Sequence, residues 1–123
     1  VTTPWPAALR VRRAARVLEI DFDDGSTFTL NAALLRAMTP SAAERGHGSS
    51  TDQPIARDFT DVRLLGAVPV GAYAVRLVFD DGHDSGLYTW TALHRIGTNA
   101  SALQTAHRAS LTAPKVPIEH LTK

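Results

Sequence analysis

Hydrophobic and polar positions alternate along much of this chain, and the period of the alternation switches between strand-like and helix-like stretches. Leu18, Ile20 and Phe22 interleave with Glu19 and Asp21, a period of two that predicts a strand with one buried face. Asp23-Asp24-Gly25 then reads as a turn, because Asp tolerates left-handed backbone and Gly adopts it freely. Alternation resumes over 26–30, with Phe28 and Leu30 on one side. Asn31 is placed to cap a short helix holding Leu34, Leu35 and Met38. Thr39-Pro40 stops that helix, since the residue before a proline is pushed out of the helical region.

The stretch 40–60 is polar and contains Gly46, Gly48, Ser49, Ser50 and Pro54. It predicts a loop of about twenty residues, a length that compact domains reserve for functional or disordered segments. A strand is expected over 62–68 and a bend at Pro69-Val70-Gly71. Tyr73, Val75, Leu77 and Phe79 give the clearest alternating strand. Asp80-Asp81-Gly82 turns it, and 87–90 form the return strand. Thr91 is placed to cap a helix with Leu93 and Ile96, with Gly97 at its C-terminal end. Residues 98–110 predict a weak helix around Ala102, Leu103 and Ala106.

These elements contain a repeat. Phe22-Asp23-Asp24-Gly25 leads through a strand to Leu34-Leu35-Arg36, and Phe79-Asp80-Asp81-Gly82 leads through a strand to Leu93-His94-Arg95. The second copy has two extra residues in its turn region. The pattern predicts an α+β fold: a small, largely antiparallel β-sheet with short helices packed on one face, built from two similar strand-turn-strand-helix units. Residues 1–15, with Pro4 and Pro6, read as a lead-in; 16–97 as the domain; 98–123, with Pro114 and Pro117, as a C-terminal helix or tail.

Composition narrows the function classes. A chain of 123 residues is one domain, and 44% apolar with 20% charged residues is ordinary for a globular protein. The net charge of +1 supplies no overall field toward nucleic acid or membrane. Cysteine is absent, which removes disulfides, thiolate metal sites and cysteine nucleophiles. No apolar run approaches the roughly 20 residues that span a bilayer. With no signal-peptide pattern, a cytoplasmic location is expected. Arg10, Arg12, Arg13 and Arg16 form a basic cluster. It reads either as an anion- or partner-binding arm or as a solvated segment neutralised by Glu19, Asp21, Asp23 and Asp24.

Candidate chemistry centres on histidine. His83 lies beside Asp80, Asp81 and Asp84, and imidazole with carboxylates suits a divalent ion. The competing reading gives those aspartates to the turn amides. Glu44-x-x-His47 has metal-ligand spacing, but Gly46 and Gly48 argue against a sustained helix, and Ser41-x-x-Glu44 doubles as a capping box. No histidine is followed by the x-Asp or x-Glu of an iron oxygenase, and neither His-Glu-x-x-His, Gly-x-Ser-x-Gly nor a phosphate-binding Gly-x-x-x-x-Gly-Lys loop occurs. The chain therefore reads as non-catalytic on its own. The enzymatic alternative uses His83 as acid or base with Asp84 orienting it. Most aromatic residues fall at strand positions, where core packing explains them better than base stacking, so nucleic-acid binding is not expected.

Several blocks carry a likeness to a known family: Leu35-Arg36, Ser41-Ala42, Glu44-Arg45-Gly46-His47-Gly48, Pro69-Val70-Gly71-Ala72-Tyr73-Ala74-Val75, and the run from Phe79 through Gly82-His83-Asp84-Ser85-Gly86 to Trp90. Over residues 16–97 the chain resembles the gamma-butyrobetaine hydroxylase-like N-terminal domain family. That resemblance implies a small α+β domain, found alone in bacteria or fused to Fe(II)/2-oxoglutarate oxygenases and to iron–sulfur carrier ATPases. In the oxygenase branch it implies a structural zinc held by three cysteines and a histidine. His83 matches the histidine, while the stretch from Ala37 to Glu44 offers no cysteine. The resulting expectation is a non-catalytic accessory or protein-interaction domain, linked to iron–sulfur or metal-dependent oxygenase proteins. The alternative is a zinc- or iron-binding domain using His47 and His83, with Asp84 or Glu44 completing the site. A free edge strand would also allow pairing with a second copy.

Overall fold

The computed structural model describes residues 4–41, 53–84 and 86–112. In chain order these form β1 (Pro6–Arg12), β2 (Val17–Phe22), β3 (Thr27–Asn31), α1 (Ala32–Ala37), β4 (Leu64–Val70), β5 (Ala74–Phe79), β6 (Gly86–Thr89), α2 (Trp90–Thr98) and α3 (Ala100–Thr112). The strands make two antiparallel sheets, ordered β1-β2-β3 and β4-β5-β6. The α+β class and the two-unit construction hold, and each unit forms a sheet of its own.

The central strand of each sheet follows the alternation in the sequence. Leu18, Ile20 and Phe22 of β2 are buried, as are Val75, Leu77 and Phe79 of β5. They meet Leu34, Leu35, Leu93 and Ile96 from the helices in one continuous core. Each fully buried aliphatic side chain of this kind contributes about 1.5–3 kcal/mol.

The repeat is deeper than the sequence pattern. The lead-in expected over 1–15 contains a full strand, β1, which is the counterpart of β4. Prolines at 4 and 6 mask it in the sequence, but a sheet edge tolerates proline at the first position of a strand. Both edge strands carry a register shift at the same place, between Pro6 and Ala8 opposite Phe22, and between Leu64 and Gly66 opposite Phe79.

The two Asp-Asp-Gly turns are built alike. Gly25 and Gly82 both have φ +89°, a conformation that favours glycine. The first aspartate clamps the residue ahead of the edge strand. Asp23 exchanges hydrogen bonds with the Trp5 backbone at 2.8 and 3.0 Å, and Asp80 does the same with Arg63 at 3.0 and 2.8 Å. The second aspartate shapes the turn: Asp24 Oδ1 accepts from Ser26 N at 2.9 Å and Asp81 Oδ1 from His83 N at 3.1 Å.

The helices start by capping. Asn31 Oδ1 accepts from Leu34 N at 2.7 Å, as its position predicts. For α2 the cap is Thr89, whose Oγ1 accepts from Ala92 N at 3.0 Å, two residues before the expected Thr91. Gly97 does not end that helix: α2 runs to Thr98, with Asn99 as its C-cap. The glycine marks a close approach instead, because a Cβ at 97 would lie 2.4 Å from the Phe28 ring. The weak helix expected over 98–110 is present as α3, and Leu103 packs it against the core. Part of the expected 40–60 loop lies outside the described residues, and 53–63 hold no helix or strand. Among the described residues, no helix is long and apolar enough to cross a membrane.

Candidate functional site

His83 lies in the second turn, where its Nε2 sits 2.8 Å from Thr39 Oγ1. Thr39 is fully buried at the end of α1, and Gly86 passes so close that a Cβ there would lie 2.7 Å from its hydroxyl. Asp81 gives one oxygen to its own turn and the other to Arg36, Nε to Oδ2 at 2.8 Å. Asp80 is used on Arg63 N. Asp84 faces Arg76, with its carboxylate at 3.7 Å and its carbonyl accepting from Nη1 at 3.3 Å. Of the four residues singled out for a metal, His83 and Asp84 are thus held by different partners, while Glu44 and His47 lie outside the described residues. Among the described residues, no cluster of three metal-ligating groups forms.

The Arg36–Asp81 contact has a counterpart. Arg36 stands five residues after the Asn31 cap, and His94 five residues after the Thr89 cap. His94 Nε2 meets Asp24 Oδ2 at 2.9 Å. Each second turn aspartate therefore spends one oxygen on its own turn and the other on the helix of the opposite unit. The repeat read from sequence places Arg36 opposite Arg95; the structure places it opposite His94. Counting from the true cap at Thr89 supplies the missing register.

Ser26 Oγ also lies near His94, 3.2 Å from the same Nε2 that meets Asp24. A serine–histidine–aspartate relay needs the serine and the aspartate on different ring nitrogens. Here both share one, so the grouping is a polar clasp, and the His94 ring packs edge-on against Phe22 and Phe28 at 4.9 and 5.4 Å. The Ser26 hydroxyl and amide, followed by His94, hold the Asp24 carboxyl below its ordinary 3.8. A depressed carboxylate stabilises the fold above that ordinary value, and the contribution is lost as pH falls through the folded value.

Sequence reasoning did not single out the surroundings of Phe59. This ring is buried, with the Arg36 guanidinium 4.7 Å and the Arg57 guanidinium 5.1 Å from its centre. His107 of α3 stacks on it at 6.1 Å and donates from Nε2 to Arg57 O at 2.6 Å. Phe59 lies in a segment without periodicity, so the sequence held no signal for it. The N-terminal basic cluster divides. Arg10 and Arg12 pair with Asp21 and Glu19 at 3.4 and 3.1 Å, exposed contacts worth about 0–1 kcal/mol each. Arg13 and Arg16 reach the second unit, at Leu65 O (3.1 Å) and Thr60 O (3.4 Å).

One surface is unusually aromatic. Trp5 and Tyr73 meet edge-to-face with centres 5.9 Å apart, and they remain 42% and 73% exposed. The turn bearing Tyr73 is pinned from beneath by Trp90, whose Nε1 donates to Ala72 O at 2.9 Å and whose amide donates to Tyr73 O at 3.1 Å. Val68 and Val70, at alternate positions on β4, lead into this turn and are also exposed.

The fold and these contacts define a small α+β domain of two units, tied together by carboxylates of their turns. The chain belongs to the gamma-butyrobetaine hydroxylase-like N-terminal family, whose model matches residues 9–94. It is similar to a protein with a solution structure by NMR, at 41% identity and TM-score 0.76, over 98% of this chain and 92% of that one. A second solution structure is 32% identical, with TM-score 0.75 over 99% and 98% of the two chains. A crystal structure from Acidithiobacillus ferrooxidans, described as a DUF971 family protein of unknown function, is 36% identical. Its TM-score is 0.63, over 75% of this chain and 91% of that one. No curated protein matches the chain.

Proposed function

We propose that this domain is a non-catalytic accessory module that binds a protein partner through the Trp5–Tyr73 surface. The observation that carries the reading is the exposure of Tyr73 on a turn that Trp90 holds rigid. Large, ordered aromatic side chains next to exposed aliphatic ones are typical anchors of protein interfaces. Two partner classes follow from the family resemblance: an iron–sulfur carrier ATPase and the catalytic domain of an Fe(II)/2-oxoglutarate oxygenase. Isotope-labelled domain titrated with each should show saturable NMR shifts around Trp5, Val70 and Tyr73 with one of them. Tyr73→Ala, which removes an exposed side chain, should weaken that binding by about tenfold or more at unchanged melting temperature. Equal affinity of the native and Tyr73→Ala domains would refute the assignment of this surface.

A second reading is metal binding, by zinc or iron, through His83 with His47 and Glu44. The placement of His83 supports it: the imidazole is held at Thr39, five positions before Glu44 in the chain. Plasma mass spectrometry of tag-free protein tests it. Near-stoichiometric metal, lost in both His47→Ala and His83→Ala, is the expected result. Native protein that stays empty after incubation with zinc or iron removes this reading.

A further inference from the structure

We infer that a cleft between the β1–β2 turn, the start of α1 and one face of α3 binds a small, extended phosphate compound carrying at least two negative charges. Two cavities of about 210 and 170 Å³ adjoin there and share Asn31, Ala33 and Thr60 as lining residues. Arg16 lines the outer end of the first, and His107 and Arg108 line the second. Among the described residues, no aspartate or glutamate lines either one. The cleft thus has cationic groups at both ends and uncharged hydrogen-bonding side chains between them. Gln104, His107 and Arg108 fall three and four residues apart on one helix face, so α3 presents them together.

Arg16 gives a reason beyond charge. It closes the β1–β2 turn with φ +58°, the positive-φ region where glycine is least strained. Its carbonyl accepts from Ala32 N at 2.8 Å, and its own amide donates to Arg13 O at 3.1 Å. Glycine would make both of those backbone bonds without the strain. Among the described residues, its guanidinium makes a single long hydrogen bond, to Thr60 O at 3.4 Å. The hairpin explains the conformation but not the arginine, whose side chain places a planar fork of donors at the mouth of the cleft, suited to phosphate oxygens.

The other end is fixed in advance. His107 is stacked on Phe59 and tied through Nε2 to Arg57 O, and the protonated ring donates from Nδ1 to an anion. Asn31 Oδ1 is used in the cap, so its amide N–H groups remain as donors. Asp58 lies within electrostatic reach of His107, and its Oδ1 is taken by the Thr60 amide at 2.9 Å and by the Thr60 hydroxyl. Two cationic ends with neutral donors between them fit an extended ligand with two separated anionic groups, such as pyrophosphate, better than a single phosphate.

The test is an NMR titration of the full labelled chain with pyrophosphate and, separately, inorganic phosphate. Pyrophosphate should give saturable shifts at the amides of Ala33, Thr60, Gln104 and Arg108, and should bind more tightly than phosphate. Arg16→Gly should weaken pyrophosphate by about tenfold, the loss of one charge-assisted contact, while its melting temperature stays level or rises. Arg108→Gln should weaken it similarly. Absence of saturable shifts at tens of millimolar would overturn the proposal. So would unchanged affinity in both variants, or shifts centred on the exposed Arg10 and Arg12.

Discussion

Gly97→Ala is expected to destabilise this domain although it places a better helix former in a helix. The added Cβ would lie 2.4 Å from Phe28 Cγ and 2.6 Å from both Cδ atoms, well inside normal contact. Cγ is the root of the ring, so relief requires the whole side chain to swing. Phe22 and His94 oppose that, with ring centres 6.0 and 5.4 Å from Phe28. Overpacking of this kind costs about 1–3 kcal/mol, against a propensity gain of about 1 kcal/mol. A net loss of about 1 kcal/mol, at most about 2, should lower the melting temperature by about 3–6 °C. Phe28→Leu alone should also destabilise, by leaving space beside the glycine. In the Gly97→Ala background it should instead recover stability, with a coupling of about 1 kcal/mol or more. Urea denaturation of the four proteins measures this; strictly additive losses would show that the ring and the glycine do not confront one another.

Asp81→Asn should cost more than Arg36→Met, although each removes one partner of the same ion pair. The Arg36 side chain is 6% exposed and the Asp81 side chain 29%. Loss of the aspartate's charge removes an ion pair from a guanidinium that is almost wholly buried, an effect of about 3–5 kcal/mol. Asparagine still accepts the His83 amide at Oδ1, so the turn survives and the ion pair is isolated as the cause. Loss of the arginine leaves a carboxylate that water can reach, and methionine covers the Phe59 face that the guanidinium occupied, so about 1–3 kcal/mol is expected. Denaturation midpoints at neutral pH give the order directly, and the reverse order would mean that the pair is more exposed than its geometry indicates. Asp24→Asn, which breaks the more exposed counterpart with His94, should have the smallest effect of the three.

The parts of this molecule that are legible in its sequence are those set by local rules. The alternation in β2 and β5, the Asp-Asp-Gly turns and the Asn31 cap each depend on a few neighbouring residues. What escaped depends on residues far apart in the chain. β1 is a strand because Asp23 and β2 hold it, which no local signal around its prolines conveys. Gly97 resembles a helix end until Phe28, far away in sequence, is seen against it. The side chains of Arg36 and His94 each meet a turn in the other unit. Of the candidate site residues, His83 was found through its carboxylate neighbours, yet the structure ties it to Thr39 and gives those carboxylates to arginines and amides.

The exchange of turn and helix contacts has the form of an isologous interface. Asp24 meets the helix of the second unit, Asp81 meets the helix of the first, Phe28 presses on Gly97, and Gly86 lies under Thr39. The same joint is made twice, once in each direction, as it is between the subunits of a twofold homodimer. Here a single chain supplies both sides, so the two copies of the joint are free to differ: a buried arginine strap on one side, a more open histidine clasp on the other.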